Sequence, residues 1–357
     1  MHESLWTAGE RVDIRCAPQW LAEVMHEGAG GALEDSTPGA STMSVEVEAA
    51  RHDFRVGEWE PLMRGAWRQG REVLIENACS SGLDLLVRPA GGTVSFIARW
   101  RPPVRVRATS GMRSRFHLLL RAVLLQYPAM WWAGTRGRIP MHASMFTAGT
   151  ITPLVAGPSG VGKSTLLATE LAAGGRATSD NLCVTDGVSG WGVVEPVRVE
   201  GKSGRRMPHG RREQPLIGRV SILTPDRVVL LRRGTGTKIE VGPCDPSVAA
   251  RALIGSTYMA GELRRYWPFA ATVAAGTGLG PAHPPICAVS EALTRRVPCL
   301  HVALSTDRNA RLSAVLDDGE ALDEAQLLTR QSEVPVVAPH APSEALARAR
   351  IASEPAR

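Results

Sequence analysis

Over the first hundred residues the apolar positions recur mainly with a period of two. Val12-Asp13-Ile14-Arg15-Cys16 alternates apolar and charged residues and predicts a strand with one buried face. Residues 45–49, 72–76, 83–88 and 93–99 predict further strands, separated by Gly-rich turns such as Ser80-Ser81-Gly82 and Ala90-Gly91-Gly92. A short helix is expected over 19–26, and 28–44 reads as a linker or loop because Gly, Ala and Ser dominate it. Val104-Arg105-Val106-Arg107 repeats the two-residue period and predicts a strand with a basic outer face. From Phe116 to Leu125 the apolar positions run almost unbroken, so 113–132 is expected to be a largely buried bridging helix.

The texture changes near residue 140. Strands are predicted at 141–146 and 152–156, joined at Ala148-Gly149-Thr150. A helix follows at 163–173, then Gly174-Gly175, then strands at 176–180, 182–185, 191–199, 219–223 and 227–232. Helices at 246–254, 256–271 and 285–296 and a strand at 299–304 complete the pattern. Strands interleaved with helices indicate an α/β fold. Three regions result: a β-rich N-terminal module at 1–112, an α/β domain with C-terminal helices at 113–316, and a flexible tail at 317–357 with little periodicity.

Composition narrows the class. The chain has 357 residues, of which 44% are hydrophobic, enough for a substantial core. Mean hydropathy is −0.06, and no apolar run approaches the ~18–20 residues of a membrane span. The start lacks a basic segment followed by an apolar run, so a cytoplasmic protein is expected. Six cysteines lie far apart with no CxxC pair, the pattern of isolated reduced thiols rather than a zinc cluster or disulfide scaffold. Net charge is +6, unevenly spread. Nine acids face two bases in residues 1–50, seven arginines without an acid occupy 99–121, and Lys202, Arg205, Arg206, Arg211 and Arg212 cluster without an acid in 201–212.

The strongest chemical signal is Gly157-Pro158-Ser159-Gly160-Val161-Gly162-Lys163-Ser164-Thr165, a full G-x-x-x-x-G-K-[ST] phosphate loop (Walker A) between a predicted strand and helix. Glycines let backbone N–H groups turn in around a phosphate, and the helix N-terminus adds a positive dipole end. Lys163 would reach the β/γ-phosphates of ATP, and the Ser164 hydroxyl would ligate Mg²⁺. Asp180 ends the next predicted strand, 17 residues after Lys163. There it would bind Mg²⁺ or accept a hydroxyl proton as general base.

The run Met141-His142-Ala143-Ser144, the phosphate loop and Ala-Gly-Gly-Arg-Ala-Thr-Ser-Asp-Asn up to Asn181 resemble the catalytic domain of HPr kinase/phosphorylase, which shares a core with PEP carboxykinases. The resemblance covers about 113–305 and concentrates in 141–199. It implies a P-loop kinase core and phosphoryl transfer to a hydroxyl. It makes His142 the histidine of the hairpin before the loop and Asp180 the first acid of the family's Asp-Asp motif. The second acid is Asn181 here, a neutral ligand. The flanking regions differ from the bacterial HPr regulator and are more similar to diverged HPr kinase-like enzymes found with ribosomal peptide biosynthesis genes. Some of those enzymes phosphorylate a Ser in a precursor peptide, but the resemblance does not identify the acceptor here.

Other features carry weaker chemistry. Glu195-Pro196-Val197-Arg198 would place Arg198 beside the transferring phosphoryl group or form a plain ion pair. The 201–212 loop would close over ATP, hold an acidic peptide, or stay a solvated mobile loop. Arg105, Arg107, Arg113 and Arg115 would form a second basic face for the acceptor or a plain exposed strand edge that charge protects from aggregation. The helix carrying Tyr258, Tyr266 and Trp267 suits core packing, a homo-oligomer interface or acceptor contact, and 276–285 is a Gly-rich loop matching no phosphate fingerprint. The sequence therefore points to an ATP- and Mg²⁺-dependent kinase acting on a Ser/Thr hydroxyl of a peptide or protein. A small-molecule kinase and a non-catalytic nucleotide-dependent binding protein are the alternatives. The absence of aromatic residues among the 201–212 bases argues against nucleic acid.

Overall fold

The computed structural model describes residues 1–36, 41–50, 52–104, 106–107, 113–207, 210–307 and 309–316. The predicted tail at 317–357, Arg105 and the side chain of Arg113 lie outside the described residues.

The alternating N-terminal runs assemble into a nine-stranded mixed sheet. Its order is Glu34–Asp35, His2–Thr7, Glu10–Cys16, Met43–Glu48, Thr93–Trp100, Leu83–Ala90, Glu72–Ile75, Ala66–Gln69 and Glu60–Met63. Val12, Ile14 and Cys16 are buried, as their period of two requires. The Gln19–Ala29 helix packs Leu21, Val24 and Met25 inward. The supposed linker at 28–44 is shorter than its composition suggests, because that helix runs to Ala29 and Glu34–Asp35 pairs at the sheet edge. His2–Thr7, Glu60–Met63 and Ala66–Gln69 were not expected as strands. Glu60–Met63 is mostly exposed and shows no alternation to detect. Residues 104–107 are a correction in the other direction. Where described they form a helical turn, with the N–H groups of Val106 and Arg107 donating to the Pro103 carbonyl. Pro102 and Pro103 supply no ladder donors and preset φ for a helix start.

The bridging helix is Arg113–Leu120, a π-helical segment Arg121–Gln126, and Tyr127–Gly134. The wider π turns, which often mark functional sites, begin at the buried Arg121.

The remaining chain builds a mixed six-stranded sheet and two smaller antiparallel sheets. A six-stranded sheet has the order Ala177–Ser179, Ser144–Phe146, Pro153–Ala156, Arg227–Arg233, Cys299–Leu304 and Glu240–Pro243. Pro153–Ala156 runs parallel to Arg227–Arg233, which runs parallel to Cys299–Leu304. A four-stranded sheet contains Ile139–His142, Leu182–Thr185, Gly190–Gly192 and Ile222–Leu223. The expected single strand at 141–146 is thus two, with Ile139–His142 in one sheet and Ser144–Phe146 in the other. The chain crosses between the same sheets again at Asp180-Asn181. The expected 191–199 strand likewise divides, and Val197–Val199 joins Arg212–Gln214 and Arg205–Arg206 in a three-stranded sheet. Residues 201–212 are therefore partly a hairpin, pairing Arg205 with Glu213 and Arg206 with Arg212. The expected 256–271 helix is interrupted: Pro246–Tyr258 ends, turns follow through Ala260-Gly261, and Tyr266–Thr277 begins.

One hydrophobic core runs from the nine-stranded sheet through the bridging helix to Leu182, Val184, Tyr266 and Phe269. Two smaller cores flank the six-stranded sheet. The six thiols are free. Among the described residues no helix is long and apolar enough to cross a membrane.

Close approach of the two sheets depends on Gly192. A Cβ there would overlap the backbone carbonyl of Thr178, two residues before Asp180. Backbone cannot yield as a flexible side chain does, so Gly192→Ala is expected to destabilise the fold by at least the ~1–3 kcal/mol typical of overpacking. Chemical denaturation would measure this, and an unchanged midpoint would refute it.

Candidate active site

Pro153–Ala156 is a fully buried strand, and its C-terminal end opens into the loop 157–162 and then the Lys163–Ala172 helix. Ala177–Ser179 and Pro153–Ala156 each pair antiparallel with Ser144–Phe146, so both point the same way. Gly157 and Asp180 therefore leave the sheet at the same edge, where open α/β sheets place their ligands.

The loop backbone needs its glycines. Gly162 has φ +126°, and a Cβ there would lie 2.8 Å from Leu304 Cδ1. Val161 is buried and anchors the loop to the core below. Gly157, Pro158, Ser159, Gly160, Gly162, Lys163, Ser164 and Thr165 line one cleft of about 290 Å³ together with His142, Asn181 and Arg198. Lys163 is buried, and its Nζ donates to the carbonyls of Gly157 at 2.8 Å and Pro158 at 3.4 Å. Burial lowers its pKa, against the charge of Asp180.

Asp180 is completely buried. Its Oδ2 accepts from Ser164 Oγ at 2.9 Å, from the Arg198 backbone N–H at 3.2 Å and from Asn181 Nδ2 at 3.2 Å. Oδ1 has no hydrogen-bond partner among the described residues. Burial pushes the carboxyl pKa up, opposed by the Ser164 and Arg198 hydrogen bonds. The sequence-predicted Ser164 and Asp180 are thus in direct contact, although 16 residues separate them.

His142 lies on the cleft wall at the end of its strand. Burial and then the Lys163 charge hold its imidazole down to about 4, so it is neutral at pH 7. Its Nδ1 is buried with no hydrogen-bond partner among the described residues, and its backbone N–H donates to Thr257 Oγ1 at 3.1 Å.

Glu195 and Arg198 do not form the ion pair their spacing suggests. Glu195 Oε1 accepts the backbone N–H groups of Asn181 at 2.5 Å and Leu182 at 2.8 Å, which secures the strand crossing beside Asp180. Burial and then the Asp180 charge raise its pKa to about 7. Arg198 lies on the cleft wall and pairs with Glu262 at 2.8 Å. Burial opposes its charge, but Glu195 and Glu262 outweigh burial and keep it protonated.

Several residues here carried no sequence signal. Glu213 pairs across the three-stranded sheet with Arg198 and lies 3.8 Å from its Nε. It also takes both Nη atoms of the buried Arg121 at 3.1 Å and meets His117 Nε2 at 2.8 Å. Burial favours protonation of Glu213, but the His117 hydrogen bond and the Arg121 charge hold it down at about 2. Arg233 Nη2 donates to the Gly160 carbonyl at 2.6 Å and steadies the loop from the neighbouring strand. Only isolated charges mark these residues in the sequence, because their partners are up to 96 residues away. Tyr258, Trp267 and His283 stack on one another at the surface, so the aromatic run and the 276–285 loop form one local cluster.

No family model matches the chain. No curated protein matches it either. Among solved structures, that of the Hpr(Ser) kinase/phosphatase from Coxiella burnetii is similar to this chain with a TM-score of 0.26 and 12% identity, over 54% of this chain and 93% of that one.

Proposed function

We propose that the protein is an ATP- and Mg²⁺-dependent kinase that phosphorylates a Ser/Thr hydroxyl of a peptide or protein. One observation carries this reading. A buried carboxylate, Asp180, meets the Ser164 hydroxyl at the head of a glycine-loop helix, and its second oxygen has no hydrogen-bond partner among the described residues.

In this reading the loop amides and Lys163 bind the β- and γ-phosphates, and the helix N-terminus favours their charge. The Asp180 carboxylate and Ser164 hydroxyl form a hard oxygen donor set that fits Mg²⁺. These two residues would hold the ion, which when bound neutralises charge on the phosphate oxygens. No further acids are required, since Mg²⁺ at such sites takes one or two protein ligands besides phosphates and water. The acceptor oxygen forms a bond to the γ-phosphorus as the bond to the β,γ-bridging oxygen breaks. ADP leaves, and the hydroxyl proton passes to Asp180. Arg198 lies on the wall of the same cleft, where its charge opposes that developing on the phosphoryl oxygens. His142 is neutral and offers hydrogen bonding without adding charge.

An open cavity of about 1570 Å³ adjoins the nucleotide cleft and shares Ser159, Arg198 and Glu262 with it. Its size favours a chain-like acceptor over a small metabolite.

The test uses labelled ATP, Mg²⁺ and Ser/Thr peptides, with Lys163→Ala as comparison. Removing one preorganised charge of this kind costs ~10²–10³-fold in rate. Phosphopeptide formed by the unaltered protein and reduced by at least that factor in Lys163→Ala is expected. Transfer to no peptide, or equal transfer by both proteins, would refute the proposal.

A further inference from the structure

The cavity beside the nucleotide cleft is unusually rich in cations. Arg115, Arg264 and Arg265 on its walls are exposed, and Arg211 stands where it meets the cleft. None of these four has an ion-pair partner among the described residues. Two other arginines of the wall are already neutralised, Arg121 by Glu213 and Arg198 by Glu262. Glu200 is the remaining acid on this surface. Three or more uncompensated charges thus converge on one concave surface, whose floor is apolar where Leu118, Met207 and Pro268 contribute.

We infer that this groove docks the acceptor as an acidic, partly apolar peptide segment, with carboxylates on Arg115, Arg264 and Arg265 and the acceptor hydroxyl at the Asp180 end. The inference rests on the kinase reading for the fate of the hydroxyl, but not for the docking. Charge complementarity selects the occupant, and the apolar floor separates a peptide from a nucleic acid. A single-stranded nucleic acid would need exposed aromatic platforms. The aromatic side chain of this wall, Tyr127, is buried and donates its hydroxyl to the Glu262 carbonyl at 2.7 Å. Arg211 lines both the groove and the cleft that holds Lys163, so the cationic surface is continuous from the groove to the phosphate loop.

The experiment compares equal-length fluorescent Ser peptides with acidic, neutral or basic flanks. It records binding by anisotropy at rising salt, and KM and kcat for transfer. The comparison variant is Arg264→Glu/Arg265→Glu, at two exposed positions. The acidic peptide is expected to bind at least ~10-fold more tightly than the neutral one, about 1.4 kcal/mol. The double variant should raise its KM by a similar factor while leaving kcat and the KM for ATP unchanged. Equal KM for acidic and neutral peptides, both phosphorylated, would overturn the groove inference and leave the kinase reading standing. Arginine-dependent acidic-peptide binding with no transfer would uphold the groove and refute the kinase reading. Tighter binding of single-stranded RNA than of any peptide, with a steep salt slope, would overturn the peptide as occupant.

Discussion

Asp180→Asn is expected to slow phosphoryl transfer by roughly 10²–10⁴-fold, the usual contribution of a general base, while nucleotide binding measured without Mg²⁺ stays close to normal. The substitution keeps the shape and an acceptor oxygen for Ser164 Oγ, which now sits at 2.9 Å. What it removes is the capacity to take a proton, the negative charge that would hold Mg²⁺, and the charge facing Lys163. Phosphates are gripped by the loop amides and Lys163, on separate residues, so binding and chemistry should part company. Single-turnover transfer measured beside nucleotide affinity separates the two. A variant that transfers at the normal rate would remove Asp180 from the chemistry, and one that loses nucleotide entirely would make its role structural.

Glu213→Gln is expected to cost ~3–5 kcal/mol of stability at neutral pH, the usual result of breaking a buried ion pair from one side. Arg121 is fully buried and would lose its countercharge, and Arg198 would lose one of its acids. The pH dependence identifies the cause. Glu213 has a folded value of about 2 against an ordinary 4.5, so its contribution is present above pH 4.5 and is lost as pH falls towards 2. Denaturation of both proteins at pH 7 and pH 3 should show the gap narrowing at the lower pH. A gap that does not change with pH would mean that packing, not charge, is responsible.

The sequence exposed the parts of this site that are local. A loop motif, its helix and an acid 17 residues beyond Lys163 are short-range patterns, and the structure brings Lys163, Ser164, His142 and Arg198 around one cleft, with Asp180 buried behind Ser164. The alternating strands of the N-terminal sheet were legible for the same reason. Long-range pairing was not. Nothing adjacent to Glu213 announces Arg121, 92 residues away, and nothing in Glu195-Pro196-Val197-Arg198 shows that Glu195 turns to backbone N–H groups while Arg198 takes Glu262. Val104 to Arg107 alternates in sequence, yet where described it forms a helical turn, because the two prolines before it supply no ladder donors and preset φ.

Two of the passages of the chain between the four- and six-stranded sheets, at Ala143 and at Asp180-Asn181, lie side by side. At a crossing the backbone loses its ladder partners, which is why Glu195 and Thr257 must supply them. His142 and Asp180 therefore sit on a seam, at the ends of their strands, rather than in the middle of either sheet. A small shear of one sheet against the other would alter the spacing between His142 and Asp180 without disturbing a single strand register, so the seam converts rigid-body sliding directly into a change of reactive geometry.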